Sequence, residues 1–266
     1  MTLDRRDFLV RTGLLVSAGA LAAAGCRSDE EARTAGAAAG LDTWAGVLQS
    51  FAVDRKRAQL SSFLLAAHPR PVREAIEEHR ERLDADTAAY IQDEEERLEI
   101  EVLRAAAGYL GVAPDEIALT GSTTMGLALL YATLSLAPGE EILTTEHDFY
   151  STHEALRLRA SATGAALRRV RLYDDPATVS VDGVVGTLVD AVTSRTKAVA
   201  LTWVHSSTGV KLPIRAVADA LAERDAELGK SKTLLCVDGV HGFGVEAEAL
   251  PDLGCDFLVS GCHKWL

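Results

Sequence analysis

Lys232-Thr233-Leu234-Leu235-Cys236-Val237, followed by Asp238-Gly239-Val240-His241, is a short apolar run closed by an acid and a turn. Its length and its boundaries predict a buried strand at residues 232–237. A second run, 256–259, leads into Ser260-Gly261-Cys262-His263-Lys264-Trp265. Working back from this pair, similar runs recur at 117–120, 141–144, 167–172 and 196–203. Helical segments at 125–136, 151–163, 184–192 and 214–228 lie between them. That alternation predicts an α/β fold, a mainly parallel sheet covered on both faces in three layers. Upstream, Pro71 opens a helix at 72–83, and a second helix at 93–110 carries Leu98, Val102, Leu103, Ala106 and Leu110 at helical period. The chain therefore divides into an N-terminal helical segment, 41–112, and a large domain, 113–266.

An acid at the end of one buried strand and a lysine just past the next suit one cofactor above others, pyridoxal 5′-phosphate (PLP). The Lys264 amine would form a Schiff base with its aldehyde, and the Asp238 carboxylate would keep its pyridine nitrogen protonated. Both residues fall beyond the carboxyl ends of strands, where open α/β sheets bind ligands. Taken singly, Asp238 reads as a turn residue and Lys264 as a solvated one; the pairing carries the cofactor reading. Gly121-Ser122-Thr123-Thr124, between a strand and a helix, forms a candidate anion site of unpaired backbone N–H groups and hydroxyls. Plain helix capping by Ser122 or Thr123 explains the same residues.

Asp238-Gly239-Val240-His241 and Ser260-Gly261-Cys262-His263-Lys264 resemble the class V aminotransferase family, which includes cysteine desulfurases and isopenicillin N epimerase-like proteins. The resemblance implies the PLP-dependent transferase fold (fold type I), with Lys264 as the catalytic residue that moves protons at a substrate α-carbon. It implies a phosphate cradle of Gly121, Ser122, Thr123 and Ser260, and a ring stacked on the pyridine at His147. It places His205, Ser206 and Thr208 near the ring oxygen and the substrate, and an uncharged loop, 61–69, near the active site. His241 would touch the ring oxygen; many members carry Gln there, and His favours the epimerase-like branch. His263 would tune the lysine or touch the phosphate. A small amino-acid-like substrate and a homodimer are implied too, with an epimerase, lyase or aminotransferase reaction. Family members continue beyond the lysine into a small C-terminal domain, so the resemblance implies an incomplete large domain with apolar surface in water. A silent remnant that binds PLP without turnover is the alternative. A dinucleotide enzyme is disfavoured, because Gly239-Val240-His241-Gly242-Phe243-Gly244 does not have the glycine order of that fingerprint.

Charge and cysteines bound the rest. A formal net charge of −12 over 266 residues argues against nucleic acid or an anionic membrane as a partner. With 48% hydrophobic but only 5% aromatic residues, the core must be built mainly from Ala, Val and Leu. The four cysteines form no CxxC pair and no zinc spacing, so no metal site is expected. Cys236 reads as a small apolar residue, and a disulfide between Cys255 and Cys262 stays open. At the amino terminus, Asp4-Arg5-Arg6-Asp7-Phe8-Leu9 resembles a twin-arginine export motif, followed by an apolar stretch at 12–25 too short for a membrane span. Ala23-Ala24-Gly25-Cys26 resembles a lipoprotein box with Ala where Leu is usual, leaving both lipidation at Cys26 and ordinary cleavage open. Residues 1–26 are thus expected to be a signal peptide and 27–40 a flexible tether, with the mature protein outside the cytoplasm and without a membrane span.

Overall fold

The structure, a computed structural model, describes residues 41–265. The twin-arginine segment, the tether and Cys26 lie outside the described residues. The described chain forms two compact units, one running up to Ile117 and one from Ala118 to Trp265.

The first unit is helical: α1 (Trp44–Ser50), α2 (Arg70–Ala85), α3 (Thr87–Leu110) and a 3-10 turn at Pro114–Glu116. Asp86 separates the two long helices; its side chain accepts the Ala89 N–H at 3.0 Å and caps α3. Helix α3 ends at Gly111, whose φ of 74° is a left-handed closing conformation that glycine adopts without a Cβ clash. The charged faces are laced by ion pairs, among them Arg82–Glu94 and Arg97–Glu101. The apolar stripe expected on α3 buries only in part, since Ala107 is its one buried residue and Val102 stands exposed.

The second unit is a five-stranded sheet in the order β2-β1-β3-β4-β5, parallel throughout. The strands are β1 (Glu141–Thr145), β2 (Ala166–Val170), β3 (Thr196–Thr202), β4 (Leu234–Asp238) and β5 (Phe257–Val259). The helices are α4 (Thr123–Thr133), α5 (Tyr150–Thr163), α6 (Val181–Ala191), α7 (Ile214–Glu227) and the short α8 (Leu250–Leu253). Parallel strands need crossovers, and helices in those crossovers cover both faces, so the central strands read as continuous apolar runs. Alternate side chains then feed two cores. Leu143, Val199, Leu201, Leu235 and Val237 pack with Val184 and Leu188 of α6 and Val217 and Leu221 of α7. Ile142, Ala198, Ala200 and Cys236 pack with Leu127 and Tyr131 of α4 and Leu156 of α5. This is the three-layer arrangement expected from the sequence, with Cys236 serving as an apolar core residue.

One expected strand is absent. Residues 117–120 join no ladder, and Ala118, Leu119 and Thr120 are exposed. A strand exists only through bonds to a neighbour, and β5, at the sheet's edge, pairs with β4 alone. Cys255 and Cys262, for which a disulfide was open, are both unlinked.

Candidate active site

The strand order reverses between β1 and β3, and at such a switch point the connections leave in opposite directions and open a crevice at the carboxyl edge. Asp148, just past β1, ties the two strands together there. Its Oδ2 accepts from Thr144 Oγ1 at 2.9 Å, Thr145 N at 2.8 Å and Thr145 Oγ1 at 2.7 Å, and its Oδ1 accepts from Thr202 N at 2.7 Å.

Asp238 ends β4 and is 3% exposed. It accepts the Val240 N–H at 3.0 Å. Burial pushes its carboxyl up to about 6; the Asp148 charge adds to the rise, while the Val240 N–H and the Lys264 ammonium oppose it. The acid and the lysine singled out in the sequence are therefore on the same edge and in electrostatic reach of each other. His241, also buried, sits in the turn after β4, and its imidazole is held below its ordinary value by burial and by the charges of Lys264 and His263.

The two loops expected to cradle a phosphate meet at Gly261. A Cβ there would stand 2.9 Å from Thr123 Oγ1 and 2.8 Å from His263 Nδ1, so only a hydrogen fits. Ser122 does what plain capping requires, its Oγ accepting from Met125 N at 3.1 Å at the start of α4. Thr123 Oγ1 and Ser260 Oγ, by contrast, are buried and have no partner among the described residues. Buried hydroxyls are nearly always bonded, so two orphans beside a helix N-terminus and a cramped glycine fit an absent oxyanion such as a phosphate. Gly121 lies next to them, a Cβ there meeting the Met125 side chain at 3.3 Å.

His147 follows β1 as expected, and the structure adds a neighbour the sequence did not suggest. Tyr173 stacks on His147 with ring centroids 3.9 Å apart and planes 4° from parallel. His205, 1% exposed, lies 5.4 Å from His147 between ring centroids, and its Nδ1 is 2.8 Å from the Tyr173 hydroxyl. The same hydroxyl is 2.9 Å from Thr208 Oγ1. Nε2 of each histidine is buried without a partner among the described residues. Burial lowers the His205 imidazole to about 4, so it is neutral near pH 7. Its turn closes through Gly209, at φ 72°, whose N–H donates to the His205 carbonyl at 2.8 Å. Ser206, on that turn, is exposed. The loop at 61–69 belongs to the first unit.

Asp148 and Tyr173 are the site residues that sequence reasoning missed. Asp148 left a signal, since Thr144-Thr145-x-x-Asp148 after a strand is a spacing at which a carboxylate can cap the strand end. Tyr173 left none, because its partners lie 26 to 35 positions away along the chain, a separation that its histidine and threonine contacts alone define.

Residues 66–266 match the profile of a family described as aminotransferase class-V. The chain is 28% identical to an isopenicillin N epimerase of Amycolatopsis lactamdurans over 225 residues, 84% of this chain and 54% of that protein. It superposes with a TM-score of 0.69 on the cystine C-S lyase C-DES in complex with its reaction product cysteine persulfide, at 21% identity, covering 77% of this chain and 53% of the other. The cysteine desulfurase CsdA of Escherichia coli gives a TM-score of 0.64 at 21% identity, covering 81% and 53%. These likenesses of structure show the fold, the fold type I α/β architecture read from the sequence. The chain spans about half the length of these relatives.

Proposed function

The chain belongs to the class V aminotransferase family, and from that premise we propose that it holds pyridoxal 5′-phosphate on Lys264 and acts at the α-carbon of a small amino-acid-like substrate. When bound, the cofactor supplies an electron sink for negative charge developing at that carbon. The observation that carries the reading is Asp238: a carboxyl with one hydrogen bond from Val240, buried at a strand end within reach of a lysine. Such a group is held out of its ordinary ionisation range by burial, and a protonated ring nitrogen opposite it would restore its charge through a charge-assisted hydrogen bond.

The other residues take roles that follow from what they lack. Thr123 and Ser260 offer unpaired hydroxyls to phosphate oxygens, and the first N–H groups of α4 add partial positive charge to the same spot. His147 presents a flat ring whose plane is already set by Tyr173. A neutral His205, whose Nδ1 already meets the Tyr173 hydroxyl, has Nε2 left to face ring oxygen or substrate, and a neutral His241 can offer one N–H and one lone pair. Lys264 takes a proton from the substrate α-carbon and returns one. Where that proton goes decides the outcome: to the other face of the α-carbon for an epimerase, to the carbon that bore the cofactor's aldehyde for an aminotransferase, while a lyase outcome requires a leaving group on the substrate β-carbon.

Titrating the protein with pyridoxal 5′-phosphate should produce the visible absorbance of a lysine-bound aldehyde, and Lys264→Ala should abolish it completely. An intact chain that develops no such band sinks the proposal. Export by the twin-arginine route belongs to the same reading, because that route carries folded, cofactor-loaded proteins. Replacing Arg5 and Arg6 by lysine should keep the protein in the cytoplasm, and equal export of the double variant counts against it.

A further inference from the structure

Tyr173 touches both histidines of the candidate site and belongs to none of the motifs that announce it. Its ring lies flat on His147, at 3.9 Å and 4°. Its hydroxyl sits between Thr208 Oγ1, at 2.9 Å, and His205 Nδ1, at 2.8 Å. The phenol has one proton, so it can donate along only one of these two contacts. The Val210 backbone N–H donates to Thr208 Oγ1 at 3.4 Å, and Thr208, which could still accept at its second lone pair, has its own proton to offer the Tyr173 oxygen. With Thr208 donating, the Tyr173 proton goes to His205 Nδ1. The phenol keeps that proton, since burial raises it above its ordinary value. A neutral imidazole that accepts at Nδ1 must carry its proton on Nε2. That Nε2 is the buried atom left without a partner among the described residues, so a donor is held ready in the crevice.

We propose that Tyr173 is a positioning residue for both histidines: its ring fixes the plane of His147, and its hydroxyl, fed by Thr208, keeps the His205 proton on Nε2. The assignment rests on the cofactor reading for its purpose but not for its geometry. The stack presents His147 as a flat platform without the rotational freedom of an isolated ring, and the relay presents His205 as a donor to an oxygen atom of cofactor or substrate.

The two halves separate with conservative substitutions. Tyr173→Phe keeps the stack and removes the hydroxyl; Tyr173→Leu removes both; Thr208→Val, on an exposed turn, breaks the relay from its far end. In the full chain with 15N-labelled histidine, the His205 ring should show a proton on Nε2, giving way to a mixture of tautomers in Tyr173→Phe and, less strongly, in Thr208→Val. With cofactor added, Tyr173→Leu should bind pyridoxal 5′-phosphate about fivefold more weakly, the size of effect an aromatic pair supplies. It should also lose the visible circular dichroism of the bound cofactor, which Tyr173→Phe retains. An unchanged His205 spectrum in Tyr173→Phe, or unchanged cofactor dichroism in Tyr173→Leu, overturns the proposal. If the unsubstituted chain shows no cofactor band, that failure belongs to the cofactor reading, and the His205 spectrum still decides the case of Tyr173.

Discussion

At the amino edge of the sheet, Glu141 is 2% exposed and takes bonds from Thr193 at 2.9 Å, Arg168 at 3.2 Å and Arg195. Nearby in kind, Asp225 accepts from Lys230 at 2.7 Å, from the Thr233 hydroxyl at 2.7 Å and from the Thr233 N–H at 2.5 Å. Burial raises both carboxyls, but their partners outweigh it and leave each below its ordinary value. At the carboxyl edge, Asp238 is as deeply buried, yet it has the Val240 N–H and rises to about 6. Thr123, His147, His205 and Ser260 leave polar atoms unpaired around it. A fold that satisfies both oxygens of Glu141 and of Asp225 at one edge and leaves these four residues' polar atoms idle at the other has room for a ligand where the bonds are missing. Asp148 sharpens the point. It shares the carboxyl edge with Asp238, but four hydrogen bonds make it a strut between β1 and β3.

The largest effect on folding should come from the saturated edge. Asp225→Ala strands the Lys230 ammonium, whose side chain is only 9% exposed, and removing one partner of a buried pair costs about 3–5 kcal/mol. Urea unfolding of the chain without cofactor measures it. A loss under about 1 kcal/mol, the worth of a surface pair, would mean that this edge is solvated and that the comparison has no structural basis.

Asp238→Asn should act in the opposite direction. The folded carboxyl titrates at about 6, above the value of about 3.9 expected for an unfolded chain. The folded state therefore holds that proton more tightly, and the group's contribution to stability is complete below about pH 4 and lost as the pH rises through about 6. The difference corresponds to roughly 3 kcal/mol. Asp238→Asn should recover about that much stability at pH 7 without cofactor and flatten the profile between about pH 4 and 6. With cofactor it should lose, because the amide cannot balance a protonated ring nitrogen. A variant that binds pyridoxal 5′-phosphate as well as the parent would remove Asp238 from the site.

What the sequence made legible follows from the same contrast. The strands β1, β3 and β4 announced themselves because a parallel sheet buries both faces and demands unbroken apolar runs. Asp238 and Lys264 stood out as charges at the ends of such runs, where a charge needs a reason. Residues 117–120 carried the same local pattern yet form no strand, because a ladder depends on a neighbour that no local pattern contains. Tyr173 was hidden for a related reason: half-buried beyond β2, it gains its role from rings brought beside it by β1 and β3. Asp148 could have been found by its spacing to two threonines, and was masked by the more conspicuous histidine beside it.

The smallest effect tests the idle donors themselves. Ser260 Oγ is buried and has no partner among the described residues, so Ser260→Ala removes a hydroxyl that contributes no bond to the fold. Deleting an unsatisfied buried group is neutral or stabilises by up to about 1 kcal/mol, whereas deleting a bonded one destabilises by a similar amount. Unfolding without cofactor should therefore be unchanged or slightly favour the variant. Binding should respond the other way, since a hydrogen bond to a charged phosphate is worth about 1.5–3 kcal/mol, and pyridoxal 5′-phosphate affinity should fall at least about tenfold. Unphosphorylated pyridoxal, with no phosphate to hold, should bind parent and variant alike. Equal losses for the two aldehydes would place Ser260 against the ring or the lysine instead of the phosphate. A destabilised variant would mean that the hydroxyl already has a structural partner, such as an ordered water, and the carboxyl edge would then be less open than its unpaired atoms indicate.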